Sequence, residues 1–422
     1  MKVLVVGSGG REHAICRALK KSPKITELYC APGNGGIAQI AECVNVAATD
    51  IPGMTDWAKA HAIDFVMVAP DDPLAMGMVD ALEAAGIRAF GPRRNAAIIE
   101  GSKAFSKGLM KKYGIPTAKY EIFTDMDEAL AYVDAQGAPI VVKADGLALG
   151  KGVVVAQTVE EARQAVTDMM AGKKFGEAGS TVVIEECMTG PETTVLCFTD
   201  GKVIRPMPSS QDHKRAFDND EGPNTGGMGA ISPSPNYTPA LAQRCMDEIF
   251  LPTMQALNAE GRTFQCVIYF GLMLTPDGPK VVEYNARFGD PECQAVLYLL
   301  ETDLLTILEA CVDQTLADVD IRWKDASACC LVLASGGYPV AYEKGKEITG
   351  LDTVPPDAFV FHAGTKFADG RFYTNGGRVL GVTALGDTLP DAISAAYSAA
   401  AGIHFDKMHF RHDIGHFALQ AE

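Results

Sequence analysis

Short apolar runs alternate with amphipathic stretches over the first hundred residues. Lys2 to Val6, Leu28 to Cys30, Val44 to Ala47 and Asp64 to Ala69 read as four strands. Between them, Arg11 to Lys21, Gly53 to His61 and Asp72 to Ala85 carry helical periodicity. Strands that alternate with helices imply parallel pairing, because a parallel partner is reached through a crossover. The N-terminal part is therefore expected to be a doubly wound, mostly parallel sheet. Turn-rich Gly91-Pro92-Arg93-Arg94-Asn95, just ahead of Gly101-Ser102-Lys103, sets a first boundary. Beyond it, Ile140 to Ala144, Thr181 to Glu186, Val267 to Leu274 and Lys280 to Tyr284 read as strands, and Pro239 to Asn258 as a helix. Pro206 to Asn236 is rich in Gly, Pro, Ser and Asn and is expected to be a long functional loop. From about Val319 onward, glycine turns such as Gly336-Gly337 and Gly376-Gly377 punctuate what reads as a separate α+β domain.

The chain has 422 residues, enough for about three domains. Its 37 basic and 53 acidic residues leave a net charge of −16, which argues against a nucleic-acid or membrane-surface partner. No apolar run approaches the roughly 18 residues needed to span a bilayer. The N-terminus reads as a buried strand and not as a signal peptide, so a cytoplasmic location is expected. An odd count of 11 cysteines, with no CxxC pair, fits reduced thiols and no structural zinc.

Five segments carry candidate chemistry. Gly7-Ser8-Gly9-Gly10-Arg11-Glu12-His13 joins a strand to a helix, so it is either an anion site at a helix N-terminus or only a tight turn. Lys143 to Gly152 is a glycine-rich loop flanked by lysines Lys143 and Lys151, able to fold over a triphosphate, but it lacks the Gly-Lys-Ser/Thr of a Walker loop. Glu185, Glu186 and Glu192 lie at and just beyond the end of an apolar strand, where backbone groups can meet a base and a carboxylate a ribose. Glu283 and Asn285 are two apart on a strand and share a face, with Arg287 close by; hard oxygens at that spacing suit Mg²⁺ bridging ATP phosphates. The segments Ser209 to Arg215 and Pro223 to Gly229 set Lys214 and Arg215 beside a glycine cradle, which suits a phosphorylated substrate.

Together these residues resemble the ATP-grasp superfamily and, within it, the phosphoribosylamine–glycine ligases. The resemblance runs through Val6 to Ala14, Ala31 to Asn34, Gly101 to Lys107, Lys143 to Gly152, Ser210 to Arg215, Asn224 to Gly229, Arg287 to Glu292 and Thr374 to Val379. It implies an N-terminal α/β substrate-binding domain (1–102) and an ATP-grasp domain (103–315) with a glycine-rich lid at about 121–187. A C-terminal α+β domain (319–422) completes the chain. It also implies ATP with Mg²⁺ or Mn²⁺, and glycine and 5-phosphoribosylamine as small-molecule partners; it names no partner protein. Lys103 and Lys143 match lysines on ATP phosphates, Glu185, Glu186 and Met188 the adenine hinge, Glu192 the ribose contact, and Glu283 and Asn285 the metal ligands. Lys151 sits on the mobile glycine loop. Arg287 and Asp212 lie where glycine and phosphoribosylamine are held, Asp290 beside them, and Gly9 and Gly10 border that site.

The chain departs from the pattern in places. It has Ala69-Pro70-Asp71-Asp72 where many relatives have Gly-Pro-Glu, and Cys293 where threonine is common. The strand before Glu283 offers no acid, which leaves two protein ligands for a metal. Other readings are a biotin-carboxylase-like or other purine-pathway ligase, a nicotinamide-dependent oxidoreductase, and a nucleotide sensor without chemistry. Glu12 at the third glycine position, and no acid after the second strand, count against the oxidoreductase. The retained Lys143, Glu283, Asn285 and Arg287 count against the sensor.

Overall fold

The computed structural model describes residues 1–146, 152–171 and 180–419. Its N-terminal sheet runs in the order Glu42–Cys43, Glu27–Pro32, Lys2–Gly7, Phe65–Val68, Arg88–Phe90, with every pair parallel. The central strand shows why helices cover both faces. Val3 and Val5 join the cluster that holds Ile15 and Leu19, whereas Leu4 and Val6 pack with Met54, Ala58 and Leu82. Two expectations change. The strand expected at 44–47 is instead the pair Glu42–Cys43, because the chain turns where the Val46 N–H bonds the Val44 carbonyl at 2.8 Å. The single helix expected over 72–85 breaks at Gly77, whose φ of +92° cannot continue it, into Asp71–Met76 and Met78–Ala84.

Two antiparallel sheets follow. The first runs Tyr120–Phe123, Val182–Glu186, Ile140–Ala144, Val153–Ala156. Helices Met126–Gln136 and Val159–Met170 cover one face, burying Val142, Ala144 and Ile184. By strand alternation, Val141, Lys143 and Glu185 turn to the other face, and there they line a cavity. The second sheet runs Ile204–Pro206, Glu192–Thr199, Cys266–Thr275, Gly278–Asn285 and closes that cavity from the opposite side.

The stretch from Pro206 to Asn236 is not the loop expected. It holds four short strands, Gln211–Asp212, Arg215–Phe217, Glu221–Asn224 and Gly229–Ser232. The first and last join a sheet built with the C-terminal strands Ser327–Ser335, Arg378–Gly386 and Ala358–His362. Gly229 to Ser232 pair residue for residue with Leu331 to Ala328. Such pairing across a hundred residues leaves no local signature in composition. Helix Leu389–Ala400 buries its alanines against one face of this sheet. Among the described residues no helix is long and apolar enough to cross a membrane.

Candidate active site

The cavity between the two antiparallel sheets has a volume of about 1150 Å³. One end is built on charge. Glu185 on the Val182–Glu186 strand is buried and accepts from two lysines, Lys143 Nζ at 3.0 Å and Lys107 Nζ at 3.2 Å. Lys143 Nζ also reaches the Val282 carbonyl at 3.1 Å, and Lys107 Nζ the Thr117 hydroxyl at 2.7 Å. Burial lowers Lys107 to about 8 despite Glu185 beside it. Lys103 lies one helical turn before Lys107 and donates to the Gly146 carbonyl at 2.8 Å. Burial holds it below the usual lysine range. So the Glu185 side chain serves the lysines, while its Oε1 has no partner. Glu186 accepts from the Lys119 N–H at 3.0 Å, and Met188 lines the cavity beside it. Lys151, with residues 147–150, lies outside the described residues.

Glu283 and Asn285 both line the cavity from the Gly278–Asn285 strand. Burial alone would raise the Glu283 carboxyl, but Lys214, Lys143, Lys103 and Arg287 outweigh it and hold it below the usual range. Asn285 is best oriented with its amide nitrogen donating to Glu100 Oε1 at 3.0 Å and to the Tyr284 carbonyl at 3.2 Å. That keeps its oxygen, the atom a hard cation needs, off those two acceptors. Lys214 sits among carboxylates, 3.3 Å from Glu192 Oε2 and 3.6 Å from Glu283 Oε1, and Glu192 first among them raises its pKa well above normal. Asp212 shares the group. Burial raises its carboxyl to about 7, against the pull of Lys214 and with Glu292, Glu192 and Glu283 adding to the rise.

The far end is made of arginines and their partners. Arg287 Nη2 holds Glu100 Oε1 at 2.8 Å and lies 4.0 Å from Asp71 Oδ2, while its Nε has no partner. Asp71, one of the departures from the family pattern, thus stands next to the arginine. Asp290 accepts from the Arg11 N–H at 3.2 Å and from Gln294 Nε2 at 2.8 Å, with Arg378 Nη1 3.6 Å away. Burial would raise Asp290, but Arg378 and Arg11 keep it below the usual range. Arg215 lines the cavity and donates to the Gly222 carbonyl at 2.7 Å. Gly9 and Gly10 do not line it. They pack at its border, where a Cβ on Gly10 would lie 2.5 Å from Gln294 Nε2.

Gly227 shows how tightly this end is built. Its φ is +116°, and a Cβ there would lie 2.5 Å from the Pro291 ring, next to Asp290. Gly227→Ala is expected to lose about 1–3 kcal/mol of stability through strain and overpacking. A thermal unfolding midpoint equal to wild type would remove that reading.

Comparison with known proteins agrees with this architecture over the whole chain. The phosphoribosylglycinamide synthetase N domain matches residues 1–100, the ATP-grasp (A) domain 101–293, and the C domain 328–417. The chain belongs to the phosphoribosylglycinamide synthetase family. It is 50% identical to a phosphoribosylamine–glycine ligase of Vibrio vulnificus over 100% of this chain and 99% of that one. It is 48% identical to one from Halalkalibacterium halodurans, covering 99% and 97%. The crystal structure of phosphoribosylamine–glycine ligase from Thermotoga maritima superposes with a TM-score of 0.86 at 32% identity, covering 98% of this chain and 100% of that one. The biotin carboxylase domain of the Hydrogenobacter thermophilus 2-oxoglutarate carboxylase, solved with MgADP and bicarbonate, shares the fold at TM-score 0.74 and 17% identity, covering 96% and 91%.

Among the cavity residues to which the sequence assigned no role are Glu100, Lys107, Glu292 and Arg378. Lys107 was visible in principle, since Lys103 and Lys107 are four apart on the Lys103–Tyr113 helix and share a face. Glu100 also left a trace, as an acid ending the apolar Ala96-Ala97-Ile98-Ile99. Arg378 arrives from the last domain and bonds the Gly226 and Asp290 carbonyls, both at 2.7 Å. No spacing rule connects it to either.

Proposed function

We propose that the chain joins glycine to 5-phosphoribosylamine at the expense of ATP, giving glycinamide ribonucleotide, ADP and phosphate in de novo purine biosynthesis. The observation that carries this reading is one cavity, on a chain of this family, that gathers all of these groups. Lys103, Lys143, Glu283, Asn285, Asp212, Arg287 and Asp290 line it together. Val141, Val155 and Met273 give an apolar wall beside the hinge residues Glu186 and Met188, suited to an adenine. Glu192 is within reach of a ribose. We take the chain as three units, 1–102, 103–315 and 319–422, with the cleft fed by all of them. We place it in the cytoplasm.

A glycine carboxylate oxygen attacks the γ-phosphorus of ATP, ADP leaves, and glycyl phosphate forms. The phosphoribosylamine nitrogen then attacks the acyl carbon, the C–O bond to phosphate breaks, and a proton leaves the nitrogen. A carboxylate resists amine attack because its leaving group is poor, and phosphate supplies a good one. Lys103 and Lys143 meet the phosphate charge, and Arg287 with its unpartnered Nε orients the glycine carboxylate. Asp212, titrating near 7, is matched to take the amine proton at neutral pH. Lys214, Arg215 and Asp290 border the phosphoribosyl moiety. Glu283 and Asn285 would hold Mg²⁺ or Mn²⁺, whose charge would neutralise phosphate oxygens. Among the described residues no three His, Cys, Asp or Glu side chains gather as a metal cluster, so phosphates and water would complete that shell.

The test is ADP release from the purified chain with ATP, Mg²⁺ and glycine, with and without phosphoribosylamine made in situ from ribose 5-phosphate and ammonia. Release that needs both glycine and the amine is expected. Release that ignores either would overturn the assignment.

A further inference from the structure

The segment that presents Asp212, Lys214 and Arg215 is a short hairpin in which the Lys214 carbonyl accepts from the Thr225 N–H at 2.7 Å and hydroxyl at 2.8 Å, and Arg215 Nη1 donates to the Gly222 carbonyl at 2.7 Å. Its strands are two to four residues long, and at its tip Asn219 and Asp220 carry φ of +59° and +54°, in the left-handed region that Asn and Asp enter more readily than most residues other than glycine. The turn from Ala216 to Asp220 is also held from outside. The C-terminal stretch from Met408 to Gly415 lies along the segment and reaches it through five residues. His409 Nε2 donates to the Ala216 carbonyl at 2.7 Å. The fully buried Arg411 donates from Nη1 to Asp220 Oδ1 at 2.8 Å and to the Arg215 carbonyl at 3.2 Å. The His412 N–H donates to Asp218 Oδ1 at 2.7 Å. Asp413 Oδ2 accepts from the Asn219 N–H at 2.8 Å. The Gly415 N–H donates to His213 Nε2 at 3.0 Å.

Arg411 is the hub of this strap. Its Nε and Nη2 grip the two oxygens of Asp413 at 2.7 and 2.9 Å, a two-point pairing that fixes the guanidinium plane. The remaining nitrogen is thereby aimed at the turn between Arg215 and Asp220. The strap therefore bonds the backbone at Asn219 and Arg215 and the side chain of Asp220. His213 adds a second anchor. It is buried, accepts at Nε2, and so carries its proton on Nδ1, 3.4 Å from the Gly229 carbonyl.

We propose that Arg411 is a positioning residue for the phosphoribosylamine end of the cavity, holding Lys214 and Arg215 in place from the last residues of the chain. This rests on the ligase reading above for its substrates, but its structural half does not. Arg411 does not line the cavity described above, whereas Arg215 and Asp220, which it bonds, do, so its effect passes through the segment it holds. Displacing reacting groups by an ångström lowers rates by as much as about 10²-fold.

The experiment compares full-length Arg411→Met, Arg411→Lys and His213→Gln with wild type. Amide exchange of peptides spanning 213–224 is measured without substrate, against peptides spanning 192–199, and KM is measured for ATP, glycine and the amine. Arg411→Met is expected to speed exchange over 213–224 only and to raise the amine KM at least tenfold, with the ATP KM within twofold. Arg411→Lys should recover part of both effects. His213→Gln, which keeps an acceptor for the Gly415 N–H, should stay within threefold of wild type. Should Arg411→Met fail to fold, Asp413→Ala, which removes the two-point partner of Arg411 and does not line the cavity, should give the same selective rise in the amine KM. Unchanged exchange over 213–224, or an equal loss for ATP and amine, would overturn the proposal. Selective exchange in a protein that ligates neither substrate would instead refute the ligase reading and leave the strap standing.

Discussion

Glu283→Ala is expected to lower kcat by about 10³-fold while the protein keeps its fold. The carboxylate sits half-exposed on the cavity wall, so its loss removes no core packing. What it removes is an anion on which Lys214, Lys143, Lys103 and Arg287 all act. That makes it the natural anchor for a divalent cation between those cations and a triphosphate. Without it the same four positive charges would repel the metal. Lys214 would still have Glu192 at 3.3 Å, so the local structure survives. Circular dichroism and the unfolding midpoint should match wild type, while ADP release falls. A kcat near wild type at saturating Mg²⁺ would sink the assignment of Glu283 as a metal ligand.

Arg287→Met should be nearly as damaging, for two separable reasons. The arginine is the group proposed to orient the glycine carboxylate, and it also neutralises Glu100, whose carboxyl burial already pushes up. Removing one partner of such a buried pair costs roughly 3–5 kcal/mol, because the other charge is left uncompensated. The single variant should therefore lose both stability and about 10²-fold or more in kcat/KM, as expected when a substrate-orienting group is lost. The double variant Arg287→Met, Glu100→Gln separates them. Its unfolding midpoint should return toward wild type, while its activity stays low. Recovery of activity along with stability would show that Arg287 only holds Glu100 and touches no substrate.

Much of the architecture was legible from periodicity alone. The strand–helix alternation of the first hundred residues gave the parallel sheet, because each crossover leaves its own local pattern. The Val182–Glu186 strand and the Gly278–Asn285 strand were also plain, as apolar runs that end in acids. The cavity residues Lys143 and Glu283 stood out because a charge at or within an apolar run asks for a partner, and Asn285 and Arg287 followed from their spacing to Glu283 along the strand. What stayed hidden was non-local. Gly229 to Ser232 look like loop sequence, and only their pairing with Ala328 to Leu331 makes them a strand. The Glu185 side chain was assigned to the adenine hinge with its neighbours, yet two buried lysines, one of them unnoticed, hold it. Arg378 and Arg411 lie far along the chain from what they bond, so no window of sequence could connect them.

The annexed strand Gly229–Ser232 has a consequence for synthesis. A ribosome makes it about a hundred residues before its partner, Ser327–Ser335, and further still before the strap that ends at Gly415. The N-terminal sheet and the two antiparallel sheets can close as they emerge. The segment bearing Asp212 cannot, because its neighbours do not yet exist. The cleft is thus completed only after Ser327–Ser335 and the strap up to Gly415 have been made.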